Sequence, residues 1–182
     1  MKRIHFINLL LPFAFLLFII GCSKDSDTPE VINEAEVINE VTLTINDGSG
    51  NTQTVTWNEG DSNTQITLTA GNTYTVTAGF YDATDPADKE NITEEVIEEV
   101  DEHQVFYEIA NGANLVISSA SGDTLDSNQT PLFLVTDWTA GEASEGIVRL
   151  YLIHQPTSKT GTTRNDFGGE TDVQVDFSIQ IN

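Results

Sequence analysis

From Val41 onward, apolar and polar residues alternate in short runs separated by turn residues, which is the periodicity of strands and not of helices. Val41, Leu43 and Ile45 alternate with Thr42 and Thr44. The segment Asn46-Asp47-Gly48-Ser49-Gly50-Asn51 then turns the chain into 52–57, so its turn chemistry predicts a hairpin. Further runs fall at 65–69, 72–81, 104–109, 115–119, 132–136, 147–153 and 173–181, which makes eight or nine strands. Threonine is abundant in them, as expected where one face of each sheet meets water. No strand alternates with a long helical pattern. The expected fold is therefore an all-β, immunoglobulin-like antiparallel β-sandwich with one short acidic helix, its first and last strands side by side or in facing sheets.

The helix is expected over 92–102. Asn91 stands at the N-cap with Glu94 spaced for a capping box, and Ile92, Val96, Ile97 and Val100 fall at helical spacing. The outer face carries Glu94, Glu95, Glu98, Glu99, Asp101 and Glu102, giving three like-charge pairs at i,i+4 and three at i,i+3. At low salt these cost about 1 to 3 kcal/mol, and acids at the C-terminal end oppose the helix dipole. A bound cation or a basic partner relieves that cost. Screening by monovalent salt does so as well.

Ahead of the strands, Lys2 and Arg3 precede an apolar run from Ile4 to Ile20 that ends at Gly21-Cys22. That is the layout of a secretory signal with a lipobox, in which the cysteine is acylated and the peptide cut before it. A run of about 17 residues also touches the lower limit for an uncleaved membrane anchor, but no basic stop-transfer flank follows it. The expected organisation is a signal peptide at 1–21, a lipidated acidic tether at 22–39, and a β-sandwich domain at 40–182. Cys22 is the only cysteine, so no intramolecular disulfide and no cysteine-ligated zinc site can form. Acyl chains on Cys22 anchor a protein stably, since each buried methylene contributes about 0.8 kcal/mol.

The chain has 7 basic and 29 acidic residues, and removal of the signal takes two of the basic ones, which leaves a net charge of about −24. Nucleic acid is excluded as a partner, because binding phosphates requires a cationic surface that releases counterions. The same charge holds the domain away from an anionic lipid face.

Among groups that carry chemistry, two histidines follow the signal segment, His103 and His154, both at predicted strand edges and both followed by glutamine. Were those strands neighbours, His103 and His154 with Glu99 or Glu102 would form a nitrogen and oxygen site for zinc or copper. A separation beyond about 8 Å with no shared carboxylate would defeat that reading. Oxygen donors also cluster in loops around Asp61 and around Asp123 and Asp126, as calcium requires, although neither loop follows the EF-hand order and Asp and Asn also simply make turns. No nucleophile elbow, phosphate loop or dinucleotide fingerprint is present, and nothing calls for an enzyme.

Several segments resemble a family of small flavobacterial lipoproteins usually labelled "type 1 periplasmic binding fold superfamily protein". They are the lipobox, Glu90-Asn91-Ile92-Thr93-Glu94-Glu95-Val96, the run from Asp101 to Tyr107, Leu152-Ile153-His154-Gln155-Pro156, and Gly169-Glu170-Thr171-Asp172-Val173. The label implies two α/β lobes. A chain of this length with one predicted helix does not supply them, so the resemblance is taken for family and location. Ser23-Lys24-Asp25 is similar to the surface-export signal of that phylum, and Asp123-Thr124-Leu125 to its O-glycosylation sequon.

The expected location is the outer membrane, lipid-anchored and facing the cell surface, with the periplasmic side as the alternative. The expected function is a non-enzymatic accessory protein that binds a cation (zinc, copper or calcium) or a small ligand and serves uptake through an outer-membrane transporter. The alternative is a structural or adhesive surface module whose acidic face meets a basic protein.

Overall fold

The computed structural model describes residues 36–61 and 64–182, so the expected signal peptide, Cys22 and most of the expected tether lie outside the described residues. Nine strands and two short helices follow in the order β1 (Glu40–Asn46), β2 (Thr52–Asn58), β3 (Thr64–Leu68), β4 (Thr73–Tyr81), α1 (Ile92–Glu98), β5 (His103–Ala110), β6 (Leu115–Ser119), β7 (Val135–Ala140), β8 (Ser144–His154), α2 (Arg164–Phe167) and β9 (Glu170–Ile181). They form a five-stranded sheet in the order β2-β1-β4-β7-β6 and a four-stranded sheet in the order β3-β9-β8-β5. The protein is an all-β sandwich. Its first and last strands lie in facing sheets.

Period-two patterning explains the packing. Val41, Leu43 and Ile45 of β1 and Val76, Ala78 and Phe80 of β4 share one core with Val148, Leu150 and Leu152 of β8 and Val173, Val175, Phe177, Ile179 and Ile181 of β9. Each such large side chain contributes about 1.5 to 3 kcal/mol on burial. Tyr107 meets Trp138 edge-on at 5.7 Å, and the Trp138 indole N–H donates to Thr136 Oγ1 at 2.9 Å.

Four details depart from the sequence-based expectation. First, β3 pairs with β9 in parallel, which the expected antiparallel sandwich did not include. Second, the run at 132–136 enters its sheet only at Val135. The Asp123 carboxylate accepts the N–H groups of Phe133 and Val135, and Phe133 has a positive φ of 64°, so the residues before Val135 form a loop instead of a ladder. Third, α1 stops at Glu98, and Asn91 donates its side-chain amide to the Glu94 carboxylate at 2.9 Å instead of capping the backbone. Glu94 and Glu95 in the first turn complement the helix dipole, but no basic residue stands in the last turn, where Glu98 opposes it. The capping box belongs to α2, between Thr163 and Asp166. Fourth, Ile38 packs against the core and the Asn39 N–H donates to the Tyr81 carbonyl at 3.2 Å. The end of the expected tether is thus part of the domain.

Thr93 fastens α1 to β4. Its hydroxyl accepts from the Phe80 N–H at 2.8 Å and donates to the Phe80 carbonyl at 3.1 Å. Among the described residues, no helix is long and apolar enough to cross a membrane.

Candidate metal centre

His103 opens β5 and His154 closes β8, and the antiparallel register sets them directly opposite each other. Counting in twos from Val105 and Leu152 puts both on the core-facing side of the sheet. Their rings stack with centroids 4.9 Å apart and planes 11° apart, inside the separation that the two-histidine reading required.

On the other side of β8 the register slips by one. Leu152 pairs with Val173 and Ile153 with Thr171, so Asp172 is the extra residue of a β-bulge. A bulge re-aims the side chain it inserts. Here it brings the Asp172 carboxylate to within 4.8 Å of donor atoms on both His103 and His154. The connection into β9 depends on Gly169, which has a φ of 63° and where a Cβ would sit 2.3 Å from the His154 carbonyl oxygen. Only glycine satisfies both conditions.

The chain ahead of β1 supplies a further acid. Glu36, Glu99 and His103 form a second group whose donor atoms lie within 4.8 Å of one another, and Glu36 Oε1 is 3.7 Å from His103 Nε2.

The ring of His103 is fully buried, and its Nδ1 lies 3.2 Å from the Glu99 carbonyl oxygen. That carbonyl can only accept, so Nδ1 carries the proton and Nε2 keeps its lone pair. Nε2 has no hydrogen-bond partner, and neither do the buried Glu36 Oε2 and Asp172 Oδ2. Each such atom costs about 1 to 3 kcal/mol in desolvation. Three of them converging at one end of the sandwich is the arrangement a cation would satisfy. Burial holds His103 below its usual range, against the opposing effect of the Glu99 carbonyl, and so keeps it in the neutral form a metal needs. Burial also pushes Glu36 up to about 7, helped by the neighbouring charges of Glu95, Asp172 and Glu99. Asp172 rises to about 6, chiefly through burial, against the opposing effect of His154.

Of the four residues expected as metal ligands, His103 and His154 come together and Glu99 joins His103. Glu102 belongs to neither group. Its carboxylate is 55 % exposed and lies 3.8 Å from His154 Nε2, while it accepts from the Gln155 side chain at 3.3 Å. Asp172 and Glu36 were not anticipated. The calcium-loop candidates do not assemble, because the carboxylate of each is taken up by amides or by a lysine. Asp61 accepts the Asn58 backbone and side-chain amides, and Asp123 accepts the amides of Thr124, Phe133 and Val135. Asp126 accepts those of Asn128 and Thr130 and faces Lys159. Among the described residues, neither ion-holding group includes any of the three.

A cavity of about 350 Å³ lies beside β5, walled by Phe106, Phe133 and Phe167 with Lys159 among its lining residues. That ammonium is already committed to the Val100 carbonyl and to Asp126.

No protein-family model, no curated protein and no solved structure matches the chain.

Proposed function

We propose that this is a lipid-anchored, non-enzymatic binding protein that takes up a divalent transition-metal ion at His103, His154 and Asp172, as an accessory to uptake at the outer membrane. The observation that carries the reading is the fully buried His103 ring, fixed by the Glu99 carbonyl so that its Nε2 keeps an unpartnered lone pair, with donor atoms of His154 and Asp172 within 4.8 Å of a ring nitrogen. A carbonyl that orients a ligating imidazole in this way is the usual second-layer support of a metal site. Two imidazole nitrogens with carboxylate oxygen suit zinc or copper(II) better than calcium, which takes six to eight oxygens. Address is a separate part of the proposal and rests on the Gly21-Cys22 lipobox in the sequence.

Calorimetric titration of the protein with zinc, copper(II) and calcium tests the site. Zinc or copper should bind with a Kd below about 0.1 mM, and binding should be lost in His154→Ala. Failure of both metals to reach that affinity would end the metal reading. Address is tested by replacing Cys22 with Ser, which should move the protein out of the membrane fraction. Retention there would count against a lipid anchor.

A further inference from the structure

We infer that Glu36 is a fourth ligand of the same ion, so that ion binding clamps the chain ahead of β1 onto the sheet formed by β5, β8 and β9. This rests on the metal reading given above and deepens it.

Three observations carry the inference. The first is distance. Bonds of about 2.0 to 2.1 Å at tetrahedral angles put neighbouring ligand atoms about 3.3 Å apart, and Glu36 Oε1 already stands 3.7 Å from His103 Nε2. His103, His154 and Asp172 have donors inside 4.8 Å of one another, and Glu36 meets this set through His103, so an ion shared by all four would draw Glu36 toward His154 and Asp172 and turn the two stacked rings out of their 11° alignment.

The second is burial without a partner. The Glu36 side chain is only 13 % exposed, and its Oε2 has no hydrogen bond. Burying a carboxylate without a partner is costly, and a cation met in this acidic corner would offset that cost.

The third is how the segment is fastened. Three residues on, the Asn39 side chain accepts from the Ala83 N–H at 2.6 Å and donates to Thr84 Oγ1 at 2.9 Å. Its backbone N–H donates to the Tyr81 carbonyl. The chain is therefore pinned to the β1–β4 sheet at Asn39 and reaches the opposite sheet only through Glu36. Between them Ile38 packs against the core but Val37 is 56 % exposed, so packing secures the stretch as far as Ile38 and leaves Glu36 to be held by its own contacts.

A set of two histidines and two carboxylates fills a tetrahedron and leaves no open position for water or substrate, which is the coordination of a holding site and not of a catalytic one. It would also make the ion a cross-link between the two sheets.

The test compares wild type, Glu36→Gln and His154→Ala as full chains in detergent micelles, using zinc as the probe. Zinc affinity is read by calorimetry, and amide hydrogen exchange is read on the peptide covering 36–39. Glu36→Gln removes a buried unpartnered charge, so its melting temperature without zinc should be no lower than wild type. Its zinc Kd should nevertheless weaken about tenfold to a hundredfold. In wild type, zinc should slow exchange over 36–39 at least tenfold, and in Glu36→Gln at saturating zinc it should not. Unaltered zinc affinity in Glu36→Gln, or unaltered exchange over 36–39 in zinc-loaded wild type, would overturn the clamp while loss of binding in His154→Ala upheld the three-ligand site. Absence of zinc binding to wild type would overturn both.

Discussion

At the scale of single residues, the molecule holds two carboxyl groups and an imidazole in a corner where none of their facing atoms is hydrogen-bonded. The consequence for pH has a definite sign. Glu36 is pushed up to about 7 and Asp172 to about 6, so both hold protons more tightly folded than unfolded. In the metal-free protein their stabilising effect is complete below about pH 4, where they are protonated in both states, and is lost as pH rises through 6 to 7. Melting temperatures taken from pH 4 to 8 with a chelator present should fall across that window. The fall should flatten in a Glu36→Gln, Asp172→Asn double variant. An unchanged slope would assign the effect to the general negative charge instead. Zinc affinity should run the other way and tighten as the same carboxyls ionise. The histidines were legible in the sequence, since two lone imidazoles at strand edges are easily seen. Asp172 was not, because the alternation legible in the sequence starts at Val173 and the polar Glu170-Thr171-Asp172 ahead of it carry no mark of a one-residue bulge. Glu36 was hidden for another reason: it falls within the acidic stretch expected as a tether, where one more acid carries no signal.

At the scale of elements, the strands were legible because each has one dry face, and the expected run at 115–119 coincides with β6 (Leu115–Ser119). What could not be read was where a side chain takes over from the sheet ladder. Asp123 captures the amides that would otherwise have extended β7 toward Leu132, and such local competition depends on a tertiary fold the sequence does not display. The four-residue α2 is too short for any periodicity to reveal. Two joints between elements should be sensitive. Thr93→Val breaks both bonds that hold α1 to the Phe80 backbone and leaves a buried amide unpaired. It should lower unfolding free energy by about 1 to 3 kcal/mol in urea titration. Gly169→Ala forces a left-handed backbone on a residue with a side chain, costing roughly 1 to 2 kcal/mol, and drives a Cβ into the His154 carbonyl. Because that carbonyl belongs to a proposed ligand, Gly169→Ala should also weaken zinc binding, whereas Thr93→Val should weaken it much less. Equal losses of affinity in the two variants would mean that the centre responds to stability alone.

At the scale of the whole molecule, 29 acidic residues against 7 basic ones repel one another in the folded state. Two kinds of cation should therefore stabilise the protein, by different routes. Sodium chloride acts everywhere by screening, so raising it from about 10 mM to 0.15 M shortens the Debye length from about 30 Å to 8 Å and should raise the melting temperature of every variant. Zinc acts at one place and only by mass action. At a hundred times its Kd it should add about 2.7 kcal/mol, or roughly 5 to 10 °C for a domain of this size. The two increments are separable by calorimetric melting of wild type and His154→Ala at each salt concentration. His154→Ala should keep the sodium increment in full and lose the zinc increment at that zinc concentration. Should zinc stabilise His154→Ala as much as wild type, the ion would be acting as a stronger counterion on the acidic surface, and the corner between β5 and β8 would have to be read as a stacked histidine pair with a structural role.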